Sequence, residues 1–292
     1  MKLDRTAQDS QDRQGRFVMI VVTGATGNVG AHVVKELADA GAEVRALTRD
    51  PEAARFPDGV QAARTEDLPL EGATALFLHA AVVWQGADKL LERAKEAGVR
   101  RVVTLSSSSV LEDTDPQHNP IGALHRDLEA QVERTGLEWT HVRPGAFAVN
   151  SFQWAEQIKA GDVVYGAHAG SHMTPIHEAD MGAVAARALL ADDLVGKTPE
   201  LTGPESLTFA DQVRIIGEVI GRPLRYEEIP AEVAREKMIG GFMTPEIADS
   251  LLRAFEGTVD RPQPISPEVE RITGRPARTF AQWVADHAGA FS

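Results

Sequence analysis

The 292-residue chain has no cysteine, only two tyrosines, and no apolar run of the roughly 18 residues that a membrane helix requires. Without thiols there is neither a disulfide framework nor a thiolate metal site, which fits a reducing compartment; the chain reads as a cytoplasmic protein with no membrane partner. Positive charge is also short. Lys and Arg number 30 against 43 Asp and Glu, which leaves −13 at neutral pH. Such a surface repels phosphate backbones, and no local basic patch offsets it, so nucleic acid is excluded as a partner. The first sixteen residues carry neither the apolar stretch of a signal peptide nor the acid-poor composition of a transit peptide. They read as a disordered extension.

What remains is globular in composition, 43% hydrophobic and 25% charged, and long enough for one large core. From residue 17 short β-branched runs alternate with helical patterns: "FVMIVVTG", then "NVGAHVVKELADAG", "EVRALT", "ATALFLHAA", "GADKLLERAKEAG", "VRRVVTLSS", "GALHRDLEAQVERTG" and "LEWTHVRPG". Alternation of this kind implies right-handed crossovers and a parallel sheet covered on both faces. The fold class expected is α/β, a doubly wound parallel Rossmann-type sheet. Residues 17–145 would form the dinucleotide domain. Residues 146–292 would form a smaller substrate-binding region interleaved with the sheet, with a loop-rich lid at 146–173 and helices near 208–220 and 230–256.

Chemistry is written most plainly in "VVTGATGNVGAHVV", where Gly24, Gly27 and Gly30 separate a buried strand from an amphipathic helix. Gly24 permits the tight turn, Gly27 lets the backbone approach a pyrophosphate, and Gly30 allows close packing of helix on strand. The helix N-terminus offers unpaired N–H groups and a positive dipole end to the phosphates. The second strand ends in "ALTRDP". An acid there would bond the ribose hydroxyls of NADH, whereas a guanidinium matches the 2′-phosphate of NADPH. Arg49 therefore points to NADPH over NADH. Asp50, followed by Pro51, reads as the N-cap of a short helix.

These residues, with "AGVRRVVTLSS", "HRDLE" ahead of "TGLEWTHVRPGAF", and the terminal "TGRPARTFAQWVADH", resemble the NmrA-like atypical short-chain dehydrogenase/reductases. The branch of triphenylmethane reductases and NADPH-dependent quinone reductases is the nearest. The resemblance implies that Gly24, Thr26, Gly27, Asn28, Val29 and Gly30 hold the pyrophosphate and Arg49 the 2′-phosphate. It implies that Asp67 lies near the adenine, that His79, Ala80 and Ala81 line the ribose channel, and that Ser106 and Ser107 approach the nicotinamide. Ser108 falls where the family's catalytic serine lies.

One departure matters. Typical members pair a catalytic tyrosine with a lysine four residues on. Here Tyr165 and Tyr226 are followed at that spacing by Ala169 and Pro230, so the pair is absent. In its place "HRDLE" offers His125 and Glu129, one turn apart on a helix and close enough to pair. A paired histidine that stays protonated could give up a proton. It could equally stand in for the lysine on the ribose, or be a buried helix residue with no chemical task. A missing acid favours substrates that delocalise the charge they receive: quinones, conjugated carbonyls, polycyclic aromatic ketones. The function expected is NADPH-dependent reduction of such a molecule by a monomer or homodimer. The alternative is a weakly catalytic NADPH-binding sensor that acts through a protein partner.

Phe147, Phe152, Trp154 and His172 are candidate walls for a flat substrate, with Trp84, Phe242 and Met243 behind them. His168, His172 and His177 lie within ten residues, but without the spacing or cysteines of a metal site. No metal is expected.

Overall fold

The computed structural model describes residues 19–80, 83, 86–111, 118–241 and 243–292. The expected N-terminal extension, and with it Ala81, Trp84 and Phe242, lies outside these residues.

Seven strands form one sheet: β1 (Met19–Val22), β2 (Glu43–Thr48), β3 (Gln61–Arg64), β4 (Ala73–His79), β5 (Arg101–Leu105), β6 (Glu138–Pro144) and β9 (Glu200–Leu201). Their spatial order is β3-β2-β1-β4-β5-β6-β9, and every pairing is parallel. This is the doubly wound Rossmann arrangement that the alternating pattern predicts. The strand order reverses between β1 and β4, and a crevice opens at the carboxyl ends there. Because both faces are covered, β1 and β5 are buried at every residue.

Helix α1 (Asn28–Asp39) lays Val29, Val33, Val34 and Leu37 on the sheet, and Gly41 ends it in the left-handed conformation at φ +76°. Helices α2 (Asp88–Glu96) and α3 (Pro120–Arg134) follow β4 and β5. After β6 the chain builds α4 (Ala155–Ala160), β7 (Val163–Gly166) and β8 (His172–Met173). It then returns to the sheet through α5 (Glu178–Leu190) and β9. Helix α5 is nearly all alanine and small residues because it crosses α1 closely. A Cβ at Gly182 would stand 2.5 Å from the His32 Cβ.

Two expectations need correction. The stretch 146–173 is no loose lid: Ala148–Trp154 form a 3₁₀ helix, Trp154 is 4% exposed, and both feed a second core with α6 (Phe209–Ile220) and α10 (Phe280–Asp286). The helix expected over 230–256 is two helices, α7 (Ala231–Met238) and α8 (Pro245–Gly257). Gly240 and Gly241, at φ +155° and +57°, take backbone shapes that break the first. Thr244 then caps the second by accepting from the Ile247 N–H, with Pro245 at its first position.

Candidate active site

The glycine loop is a cradle built from backbone. Gly24 sits at φ +61°, which favours glycine, directly under the ring-bearing carbon of His79. Gly27 caps α1 without any side-chain hydrogen bond, so Thr26, Gly27 and Asn28 present open N–H groups at an exposed helix end. Gly30 is the tightest point: a Cβ there would stand 2.1 Å from the Gly24 carbonyl oxygen. Val29 turns its side chain into the core, so only its backbone can face a ligand. Thr23, which sequence reading passed over, ties the loop to β4. Its buried hydroxyl donates to the Phe77 carbonyl at 3.0 Å and accepts the His79 N–H at 2.9 Å.

At the end of β2 the Arg49 side chain is exposed. Asp50 is committed to its own turn, where its carboxylate accepts the N–H groups of Glu52 and Ala53 at 3.2 Å each; those residues form a turn rather than the short helix expected. Thr48 pairs in register with Arg64, whose guanidinium donates to the Arg49 carbonyl at 3.2 Å. Two guanidinium groups therefore flank this point, where sequence reading saw one. The missed signal was β3, whose parallel register delivers Arg64. Asp67 is exposed on the following turn.

The nicotinamide end differs more from expectation. Ser106 is buried and donates to Glu129 Oε1 at 2.7 Å, so its hydroxyl is committed to the core instead of to a cofactor. Ser107 Oγ lies 2.8 Å from Ser109 Oγ in the turn after β5. Glu129 is fully buried and takes a bidentate pair from Arg143, at 2.8 and 2.6 Å, across from β6. Burial opposes its charge, but the hydrogen bonds from Arg143 and Ser106 outweigh that and hold the carboxyl below its ordinary range.

His125 is consequently not hydrogen-bonded to Glu129. Its Nδ1 is buried with no hydrogen-bond partner. Burial, reinforced by His79 and only partly offset by Glu129, pushes its pKa down to about 4. The expectation of a paired, protonated histidine fails because Arg143, arriving from β6, takes the carboxylate first. His79, half-buried above Gly24, is also lowered by burial, and Ala80 is buried behind it.

His141, one strand over, is likewise pushed to about 4 by burial. Both rings start from 6.5, so below that pH the unfolded chain binds protons the folded chain refuses. Stability is full above pH 6.5 and falls as the pH drops toward 4, by about 2 kcal/mol per histidine. Urea midpoints at pH 7 and 4.5 will show the fall, and it will be smaller in His125→Asn.

Two cavities take up the remaining residues. One, of about 490 Å³, opens at the carboxyl ends of β6 and β9; it is lined by Ser108, Gly145, His172, Thr174, Thr202 and Thr258 among others. The other, of about 320 Å³, holds Trp154 and Met243. Phe147 packs beside the sheet core, in a bridge to Ile176. Phe152 stacks among Trp283, His287 and Phe291 at centroid distances of 5.1, 5.5 and 5.9 Å. Neither ring lines a cavity, and aromatic packing onto α10 is the reason. The three clustered histidines go separate ways: His168 sits at φ +53°, His172 faces Ser206 Oγ at 3.2 Å, and His177 caps α5 by accepting the Ala179 N–H.

The glycine cradle, the open helix end, the paired arginines and the orphaned His125 nitrogen all fit a dinucleotide laid across the β1/β4 crevice. A family profile described as NAD(P)H-binding matches residues 24–192. A (4-alkanoyl-5-oxo-2,5-dihydrofuran-3-yl)methyl phosphate reductase of Streptomyces griseus is 35% identical over 94% of this chain and 99% of its own. An NAD(P)H azoreductase of Xenophilus azovorans is 32% identical at the same coverage.

The chain belongs to the NmrA-like NAD(P)H-dependent oxidoreductases.

Solved folds agree. The Citrobacter sp. triphenylmethane reductase complexed with NADP(H) superposes with TM-score 0.76 at 18% identity, covering 93% of this chain and 100% of its own. The Escherichia coli NADPH-dependent quinone oxidoreductase complexed with NADPH gives 0.74 at 22% identity, covering 92% and 100%. Among the described residues of this oxidoreductase, no helix is long and apolar enough to cross a membrane.

Proposed function

We propose that this oxidoreductase reduces conjugated, electron-poor small molecules and uses NADPH as its hydride donor. The observation that carries this is the state of His125. In the place of the missing tyrosine stands an imidazole held neutral by burial, with an unsatisfied nitrogen. A neutral imidazole is a weak acid at pH 7, so an acceptor that would become a localised alkoxide is poorly served. An acceptor that spreads the incoming charge over a conjugated system needs no strong donor beside it.

The bound dinucleotide would supply the hydride. Thr26, Gly27, Asn28 and the backbone of Val29 would receive its pyrophosphate. His125 Nδ1 would accept a ribose hydroxyl, which gives the orphaned atom its partner. The Ser108 hydroxyl, on the wall of the larger cavity, would donate to an oxygen of the substrate. The names of the relatives point the same way: a dihydrofuranone bearing an alkanoyl group and an azo compound are both conjugated acceptors.

The test is oxidation of NADPH followed at 340 nm with quinones, azo dyes and acyl butenolides, beside a simple aliphatic ketone. Turnover confined to the conjugated members is expected. A faster rate on the aliphatic ketone would end this reading. His125→Phe should raise KM for NADPH while the pH profile between 6 and 8 stays flat, since the wild-type ring does not titrate there.

Cofactor choice gives a separate prediction. Hydrogen bonds to a charged group are worth about 1.5–3 kcal/mol, so Arg49→Ala should weaken NADPH binding at least about tenfold. Its effect on NADH should be negligible. Equal losses for the two cofactors, by calorimetry, would place Arg49 away from the 2′-phosphate.

A further inference from the structure

The smaller cavity shares no lining residue with the Ser108 cavity. A wall divides them. Phe255, in the last turn of α8, lines one, and Thr258, three residues on, lines the other. The fully buried Ser171 completes the wall, with its hydroxyl 2.8 Å from Thr258 Oγ1 and its carbonyl accepting the Phe209 N–H at 3.2 Å. A substrate seated against Ser108 cannot extend through it.

Five aromatic rings line this second space: Trp154, Tyr165, Phe209, Tyr226 and Phe255. Both tyrosines of the chain, absent from the helix where a reductase would use one, are here. The rings brace one another edge to face, Trp154 with Phe209 and Tyr226 at 5.8 and 6.2 Å, and Phe209 with Phe255 at 4.9 Å. The cavity is therefore preformed and does not depend on a ligand to open it. Its polar groups are largely spent. The Tyr226 hydroxyl donates to the Ala167 carbonyl at 2.8 Å, and the Gln157 amide serves the N–H and the carbonyl of Tyr165. Only one lining residue, Lys237, carries charge, and among the described residues no carboxylate pairs with its ammonium.

We infer that this cavity is a second binding site, distinct from the reduction site, and takes a flat aromatic anion. The rings accept the apolar body, and Met238 and Met243, flexible thioethers, fit themselves to its edge. The carboxylate or sulfonate of the ligand stays at the mouth beside Lys237, in reach of water, so its charge is not desolvated. The −13 net charge of the chain makes one unpaired cation at the rim a selective feature.

The experiment uses the apo protein and needs no turnover, so its failure is separable from failure of the reductase reading. 2-Naphthoate and its neutral counterpart 2-naphthol are titrated and followed by quenching of tryptophan fluorescence. An exposed charge pair is worth up to about 1 kcal/mol, so naphthoate should bind about fivefold more tightly than naphthol. Lys237→Met should erase that preference, while Ser108→Phe, which fills the other cavity, should leave both affinities unchanged. Ala234→Trp, which fills this cavity, should abolish both. Equal binding of the two probes, a preference that survives Lys237→Met, or loss of binding in Ser108→Phe would each overturn the inference; so would no binding at millimolar probe.

Discussion

Glu129→Leu will lower the stability of the protein by about 3–5 kcal/mol, the cost of removing one partner from a buried ion pair. The carboxylate is fully buried and is gripped by both arms of the Arg143 guanidinium and by the Ser106 hydroxyl. Take it away and Arg143, itself largely buried, keeps its charge with no counterpart, while Ser106 loses its acceptor. For a chain of this size the melting temperature should fall by about 10 °C. Glu129→Gln keeps one acceptor oxygen and should cost less than half as much. Thermal unfolding of both variants checks the ranking. A leucine variant as stable as the wild type would mean that the pair contributes nothing net to the fold. The site would feel the change too, because Glu129 pins α3, which carries His125, to the ends of β5 and β6 from which the Ser108 turn departs.

Gly30→Ala has the second large effect, and on binding more than on folding. The added carbon would meet the Gly24 carbonyl oxygen at 2.1 Å, a backbone atom that cannot swing aside. Relief requires the loop to move away from the helix, at about 1–3 kcal/mol of overpacking strain. That motion misdirects the N–H groups meant for the pyrophosphate. NADPH affinity should drop about a hundredfold, with circular dichroism unchanged. Gly27→Ala is the control: its added carbon stands 3.2 Å from the same oxygen, a contact that a few tenths of an ångström relieve, so its loss should be smaller. Calorimetric titration of both variants decides. Similar losses would shift the cause from the carbonyl clash to the helix end itself.

The parts of this architecture readable in the sequence are those set by neighbours along the chain. Strand and helix periodicity gave the parallel sheet, and three glycines between β1 and α1 gave the phosphate cradle. Asp50 could be seen to cap its own turn because its partners, Glu52 and Ala53, are two and three residues away. What could not be read depends on residues brought in from far off. The spacing of His125 and Glu129 suggests a pair, and geometry along one helix permits it. The decision lies with Arg143, on a strand the helix alone cannot foresee, and a guanidinium fork outbids an imidazole for a buried carboxylate. Arg64 was missed because a four-residue strand, mostly exposed and rich in alanine, carries little periodic signal. Phe152 looked like a pocket wall because an aromatic after the last strand fits either role. Its three ring neighbours all lie more than 130 positions later. In each case the local pattern named the residue type correctly and the long-range contact chose its task.

The all-parallel sheet also governs how the cofactor loop comes into being. No two of its strands are joined by a hairpin, so each pairing must close a long loop before any contact offsets the lost entropy. The Thr23 hydroxyl that fixes the glycine turn waits for Phe77, 54 positions downstream. The turn after β6 waits for β9, where the Gly145 N–H finds the Leu201 carbonyl. Assembly on the ribosome is therefore ordered: the phosphate cradle can mature once β4 has emerged, while the Ser108 cavity stays unmade until more than a hundred further residues follow. A chain halted between those points would bind dinucleotide, if at all, with nothing beside it to receive a hydride, and its slow, non-local folding would leave apolar strands exposed to aggregation meanwhile.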